Sequence, residues 1–270
     1  MRGWTLGSGS SGNALLLESG PHRILIDCGF GPRAIATRLK AIGVAPESIS
    51  ALLLTHEHVD HAQGAERAQK KYRWPVHGSA GTLSGLRELE ARWRRPMSTG
   101  ASVELDGFRV EAIAVPHDAA APFAYVVTAT ASGARVGVAH DLGAVPDALR
   151  TSFAHCDALC LEANHDVEML RLGPYPRALQ ERIRGGRGHI SNAQAAELAA
   201  ELAGPGLRAV SLLHLSEMNN RPELAERTVS AALRRARYGG PVRAADRRRP
   251  AEAFALGARP LVSVQLDLGV

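Results

Sequence analysis

Apolar residues cluster in eight short runs: 14–18, 23–27, 51–55, 108–115, 123–130, 134–140, 158–162 and 207–214. Runs of this length, rich in Val, Ile and Leu, predict β-strands rather than helices. Between several of them the apolar positions recur every three or four residues, which predicts helices over 32–42, 61–72, 191–203 and 222–236. The strands come first as hairpins and then alternate with helices, and this order repeats in both halves of the chain. Such an order predicts an α/β protein of four layers, with two mixed β-sheets packed face to face and helices outside. No Pro/Gly/Ser linker, low-complexity tract or short tandem repeat interrupts the chain, so residues 1–270 are expected to form a single domain.

One helix start is explicit. In GRGHISNAQAAELAAELAG, Ser191 followed three residues later by Gln194 is a capping-box pattern. Apolar residues at 195, 198, 199, 202 and 203 give that helix one buried stripe. It is expected to begin just after His189 and to stop at Gly204, with Pro205 behind.

Composition narrows the class. With 45% hydrophobic residues in 270, a sizeable core is possible. The first residues, MRGWTLGSGSSGN, lack a signal peptide's basic start and apolar core, and no later segment has about 18 uninterrupted apolar residues. No membrane association is expected. Three cysteines, Cys28, Cys156 and Cys160, are an odd number without paired spacing, which points to buried thiols and a cytoplasmic location. The net charge is +5, concentrated in RRARYGG at 234–240 and DRRRP at 246–250. Such runs form a solvated face, and they also suit a polyanion whose counterions they displace.

The densest chemistry lies in LLLTHEHVDHAQG, residues 52–64, where His56, His58, Asp60 and His61 follow an apolar strand. The HEHVD segment reads as the loop between that strand and the next helix. Imidazole nitrogen and carboxylate oxygen are ligands for Zn, Mn or Fe, and a His/Asp cluster without thiolate suits a hydrolytic metal rather than a structural one. Gly64 would let the helix approach the loop closely. Four such residues cannot fill two coordination shells. Three more ligand types stand at strand ends: His117, Asp141 and His214. The seven divide into His56, His58 and His117 for one metal and Asp60, His61 and His214 for another, with Asp141 bridging. Such a pair activates a hydroxide and holds the oxygen of the group attacked.

This set of HxHxDH, a later His, a later Asp and a last His resembles the metallo-β-lactamase fold superfamily, over essentially the whole chain. The resemblance implies its αβ/βα sandwich, a metal-dependent hydrolase, and two divalent ions (Zn or Mn, with Fe as a third option). LGSGSSGN, THEHVDH, VPHDAAAP, LEANHDVEMLRLGPYP, GHISNAQAA and LLHLSEMNN resemble more narrowly the YycJ/WalJ-like branch, which implies a cytoplasmic nuclease on double-stranded DNA. LEAN and GHISNAQAA also resemble segments of tRNase Z and carry Glu162 and His189 into that family's catalytic Glu-His pair. With Asp60 these are the expected catalytic residues. His189 precedes a helix N-terminus, whose dipole disfavours an imidazolium, whereas a carboxylate such as Glu162 raises its pKa and lets it hold a proton for a departing alkoxide.

Two segments stay open. GSGSSGN at 7–13 is either a backbone nest for a phosphate, with Ser10, Ser11 and Asn13 as substrate contacts, or a tight hairpin that needs its glycines. In NHDVEMLRLGPYP the resemblance places Asn164 and His165 at the substrate, yet the same residues read equally as a polar turn capping a helix at Asp166. Asp27 and Asp118 are expected to orient ligands from behind. His22, His77, His140 and His155 are expected to be structural or surface residues, strand alternation turning His140 away from Asp141. The short spacings from His117 to Asp141 and from Asp141 to His214 leave little room for a tRNA-gripping arm or an inserted β-CASP domain. The leading expectation is a dinuclear phosphodiesterase, a double-stranded DNA exonuclease. The alternative is a hydrolase of a small lactone, lactam or thioester, which needs no Glu162–His189 proton donor. A non-catalytic metal-binding module is a third, disfavoured by the complete ligand set.

Overall fold

The computed structural model describes residues 1–257, so the last part of the single-domain expectation, 258–270, lies outside the described residues. In chain order the first half holds β1 (Arg2–Gly7), β2 (Ala14–Ser19), β3 (His22–Ile26), α1 (Pro32–Ala41), β4 (Ala51–Leu53), α2 (Val59–Ala62), α3 (Ala65–Tyr72), β5 (Val76–Ser79), α4 (Ala80–Gly85) and β6 (Arg94–Met97). The second half holds β7 (Ser102–Leu105), β8 (Phe108–Ala114), β9 (Phe123–Ala129), β10 (Arg135–Ala139), α5 (Asp147–Phe153), β11 (Ala158–Glu162), α6 (Val167–Leu172), α7 (Arg177–Arg184), α8 (Asn192–Glu201), β12 (Ala209–Leu213), α9 (Pro222–Arg235), β13 (Val242–Ala244) and β14 (Ala251–Ala255).

These strands form two seven-stranded sheets, in the orders β14-β1-β2-β3-β4-β5-β6 and β7-β8-β9-β10-β11-β12-β13. Read in those orders, each sheet has three antiparallel pairings followed by three parallel ones. Both sheets are buried on both faces, so their central strands are continuous apolar runs rather than alternating ones. Leu15, Leu17, Ile24 and Ile26 face inward onto Phe108, Val110, Tyr125, Val127 and Val138 of the other sheet. On the opposite face Leu16, Leu25 and Leu52 pack under Ile35 and Leu39 of α1 and Ala68 of α3. The second sheet mirrors this, with Val126 and Leu159 under Leu149 and Phe153 of α5, Leu198 of α8 and Val229 of α9. The four-layer αβ/βα sandwich is the fold that the chain adopts.

The sequence pattern misses several elements, β5, α4 and α5 among them, and two reasons account for five others. β6, with the sequence RRPM, and β7 are polar, and β13 and β14 are short outer strands, so none carries an apolar run. α7 has no buried residue at all and so presents no core stripe. The helix expected over 61–72 is instead two helices, α2 and α3, hinged at Gly64. A Cβ at Gly64 would lie 1.8 Å from the Phe30 carbonyl oxygen, and the Gly64 amide donates to the Cys28 carbonyl at 2.9 Å. Gly29 is as tightly placed, its would-be Cβ 1.9 Å from the Asp60 carbonyl oxygen. The loops after β1, β3 and β4 therefore interlock backbone to backbone. The capping box of α8 forms as expected, Gln194 N donating to Ser191 Oγ and Ser191 N to Gln194 Oε1.

Cys28, Cys156 and Cys160 are buried thiols, and burial pushes the Cys28 pKa up to about 12. Among the described residues no helix is long and apolar enough to cross a membrane.

Candidate metal centre

The ligand-type residues follow the C-terminal ends of β4, β8, β10 and β12, in the loops there and, for Asp60 and His61, at the start of α2. Three groups of four emerge, with all ligand atoms of each group within 4.8 Å of one another; Asp141, Glu162, His189 and His214 form one, and the seven expected ligands form the other two. Of those two, one is His56, His58, His117 and Asp141; the other is Asp60, His61, Asp141 and His214. The structure thus brings together all seven residues singled out in the sequence, with Asp141 common to both groups.

The separations within the groups are those of a coordination shell. Asp141 Oδ2 lies 3.5 Å from His56 Nε2, 3.5 Å from His117 Nε2 and 3.3 Å from His61 Nε2. Asp60 Oδ2 lies 3.5 Å from His61 Nε2 and 3.3 Å from His214 Nε2, and His117 Nε2 lies 3.4 Å from His58 Nδ1. Zinc–nitrogen bonds of 2.0–2.1 Å in a tetrahedron put neighbouring ligand atoms about 3.3 Å apart, so the edges match. His56 Nε2 is moreover buried without a hydrogen-bond partner, a cost that coordination would remove. The residues fit divalent metal ions.

Every one of the five histidines has its other nitrogen held by an oxygen, which fixes the ring and the tautomer. His56 Nδ1 meets Thr55 Oγ1 at 3.0 Å, His58 Nε2 the Asp118 carbonyl at 2.8 Å, and His61 Nδ1 Asp27 Oδ2 at 2.7 Å. His117 Nδ1 meets the Gly188 carbonyl at 2.9 Å, and His214 Nδ1 lies 2.8 Å from Asp141 Oδ1 and 3.1 Å from Glu162 Oε1. Asp27 orients a ligand as expected and does more. It is wholly buried, accepts from Thr55 N and Thr55 Oγ1, and also binds His140 Nδ1 at 2.8 Å. Burial pushes the Asp27 pKa up, but the charges and hydrogen bonds of His61 and His140 outweigh it and hold the carboxyl well below the usual range. Two expectations change here. His140 does turn away from Asp141, but into this network rather than into bland packing. Asp118 acts on His58 through its carbonyl, while its exposed carboxylate pairs with Arg182.

Glu162, at the end of β11, is wholly buried and fully engaged. Its Oε2 accepts from Leu142 N at 2.8 Å and Ile190 N at 3.1 Å, and its Oε1 meets His189 Nδ1 at 2.7 Å. Burial raises its pKa, yet the His189 charge and hydrogen bond bring it down to about 2. Burial conversely lowers the pKa of His189, and Glu162 raises it by more. The ring of His189 lies 5.1 Å from that of His117 and 5.2 Å from that of His214, on a cavity of about 310 Å³ that His58, Asp60 and Asp141 also line.

The expected substrate contacts divide. Ser10 and Asn164 line the cavity. Asn164 Nδ2 also donates to the His214 carbonyl at 3.0 Å. Ser11 is exposed but outside that lining. Asn13 is wholly buried, and its side chain braces the metal loop: Oδ1 accepts from Gly9 N at 2.8 Å and Nδ2 lies 3.0 Å from His61 Nε2. The Gly9, Gly12 and Asn13 amides bond Asn13 Oδ1, the Gly9 carbonyl and the Asp60 carbonyl, so these three do not form an open phosphate nest. His165 is buried, which lowers its pKa to about 4, and it does not line the cavity. Asp166 caps α6, accepting from Glu168 N and Met169 N, as the helix-cap alternative expects. Sequence inspection missed Tyr175, Leu179, Arg182 and Arg187, which line the cavity from α7 and its flanks. Their signal was weak because α7 lacks a core-facing stripe.

A family model described as "Beta-lactamase superfamily domain" matches residues 22–215, and the chain belongs to that family. By fold and family it is a metallo-β-lactamase-type hydrolase. It is 32% identical over 238 residues to "Exodeoxyribonuclease YycJ" of Bacillus anthracis, covering 87% of this chain and 89% of that protein. It is likewise 32% identical over 240 residues to "Exodeoxyribonuclease WalJ" of Streptococcus pneumoniae, covering 87% and 88%. Among solved structures, the metallo-β-lactamase fold protein YhfI of Bacillus subtilis superposes with a TM-score of 0.69 at 17% identity, covering 93% of this chain and all of that one.

Proposed function

We propose that the chain is a dinuclear phosphodiesterase and, by substrate, an exonuclease of double-stranded DNA in the cytoplasm. The observation that carries this is His189, backed by the buried Glu162, on the same cavity as the two ligand groups. The names of the YycJ and WalJ relatives support it, as do the arginines at the cavity wall. Buried thiols agree with a reducing compartment.

His56, His58 and His117 would hold one ion, Asp60, His61 and His214 the other, and Asp141 both. Bound Zn or Mn, with Fe as a third option, supplies Lewis acidity to the phosphate and a water of lowered pKa. The chain's own contribution is the proton. Glu162 keeps its charge while buried because two backbone amides and His189 share it, and it stabilises imidazolium on His189. His189 Nδ1 is held by Glu162, so Nε2 is the atom left to protonate the departing deoxyribose oxygen, a poor leaving group as an alkoxide. Asp60 would serve as a ligand beside His61 and His214, and Ser10 and Asn164 are placed to meet the substrate.

The experiment is His189→Ala assayed on end-labelled duplex DNA and on an aryl phosphodiester whose leaving group needs no proton. Metal content is expected to be retained, DNA digestion to fall by roughly 10²–10⁴-fold, and the aryl ester to lose much less. Equal losses on both substrates would remove His189 from the acid role. Turnover of a lactam or lactone by the unmodified enzyme, with none of duplex DNA, single-stranded DNA or RNA, would replace the nuclease by the small-molecule hydrolase.

A further inference from the structure

α7 is an unusual helix, because an amphipathic surface helix normally buries its apolar stripe against the core. No residue of α7 is buried. Instead Leu179, Arg182 and Ile183, at i, i+3 and i+4, all line the cavity, and Tyr175 joins them one turn earlier. Leu179 is left 37% exposed. The C-terminal end of the helix is tied to the site: His189 N donates to the Ile183 carbonyl at 2.8 Å, and Arg187 reaches the His117 carbonyl at 3.3 Å through both Nε and Nη2. The apolar face is therefore tied in place at the ligand cluster, and among the described residues Leu179 stays exposed and Tyr175 and Ile183 only partly buried.

We infer that this face is the subsite for a single terminal nucleotide, with Tyr175, Leu179 and Ile183 against the base and Arg182 on a phosphate. The inference rests on the phosphodiesterase function proposed above and adds to it which part of the substrate α7 holds. Three features select a nucleotide. A flat aromatic beside aliphatic side chains suits a base π-face, which binds without sequence preference. Arg182 and Arg187 supply the positive charge that a phosphate requires, beside a cluster suited to cations. The cavity, about 310 Å³, lies at the small end of ligand pockets, which suits one nucleotide rather than a run of them. Arg182 is engaged by Asp118, but both side chains are solvent-exposed, at 67% and 48%. An exposed ion pair is weak, so a phosphate can take its place.

The test uses the metal-loaded full chain and the specificity ratio of thymidine 5′-(4-nitrophenyl phosphate) to methyl 4-nitrophenyl phosphate, two esters that differ in the nucleoside. In Tyr175→Ala and Leu179→Ala the ratio is expected to fall by about tenfold or more, through KM, as for loss of a base-stacking contact. Tyr175→Phe, which keeps the ring, should restore it. Duplex DNA should yield mononucleotides. An unchanged ratio in both alanine variants, or release of oligonucleotides only, would overturn the subsite. If the unmodified enzyme digests DNA and the ratio is unchanged, the subsite alone is wrong; if it cleaves neither DNA nor either ester, the phosphodiesterase function fails as well.

Discussion

The two sheets share one ladder plan but supply the site in opposite ways. The first delivers His56, His58, Asp60 and His61 from the single segment after β4, the first two in the loop and the last two on α2, steadied from behind by Asp27 just after β3. The second delivers one residue at a time: His117 after β8, Asp141 after β10, Glu162 at the end of β11 and His214 after β12. Each half is organised by a buried carboxylate. Asp27 gathers Thr55, His61 and His140, all ligands or their supports. Glu162 gathers the Leu142 and Ile190 amides with His189 and His214, so it joins the metal cluster to the proposed proton donor. The difference teaches that similar sheets can divide labour, one gathering candidate ligands in a single segment and the other linking candidate ligands to the proposed proton donor.

The strongest way to break the site is where the halves meet. Asp141→Ala removes the residue shared by both ligand groups, and activity is expected to fall at least about 10³-fold, with most bound metal lost on elemental analysis of the purified protein. A variant that keeps both metal and activity would separate Asp141 from the centre. The organising carboxylates provide the sharper contrast. Glu162→Gln is expected to lose roughly 10²-fold in DNA digestion with metal content largely intact, because the charge behind His189 is gone. Asp27→Asn should instead weaken metal affinity by about 10–100-fold and regain much of its activity in excess metal. Rescue of Glu162→Gln by metal, or its failure in Asp27→Asn, would reverse the assignment.

The smallest effect lies in pH. The folded pKa of Glu162, about 2, lies below its ordinary value of 4.5, so its contribution to stability is present above that value and lost as pH falls toward 2. His189 is raised above 6.5, so its contribution is present below 6.5 and lost as pH rises through the raised value. Thermal melts of the chelated protein should therefore be steadiest between the two limbs. Glu162→Gln should flatten the acid limb, and an unaltered acid limb would show that the pair does not contribute.

The contiguous half was readable residue by residue. HxHxDH after an apolar run needs only local rules: a strand that ends, a loop, and side chains of metal-binding chemistry. The dispersed half was readable as ligand types at strand ends that divide with the first cluster into two groups, but its backbone turns were not. Asp27, Asp141 and His214 all adopt left-handed backbone, with φ of 62°, 43° and 53°, where non-glycine residues are uncommon. Those turns lie outside the regular strand pattern, and the strands predicted to run through 27, 140 and 214 stop one residue short. The hydrogen bonds that the surrounding loops make hold such backbone in place, as Leu142 N on Glu162 and His214 N on Ser8 Oγ show.

Periodicity and side-chain chemistry are local quantities, and from them come the strand and helix order, the capping of α8 and the identity of seven metal-type side chains. Which nitrogen of each histidine faces the cluster is another matter. So are the redirection of His140 to Asp27, the retreat of Asn13 into the loop core and the turning of α7 toward the cavity. Those depend on contacts between residues tens to hundreds of positions apart, made when two sheets close on each other, and no local pattern encodes them.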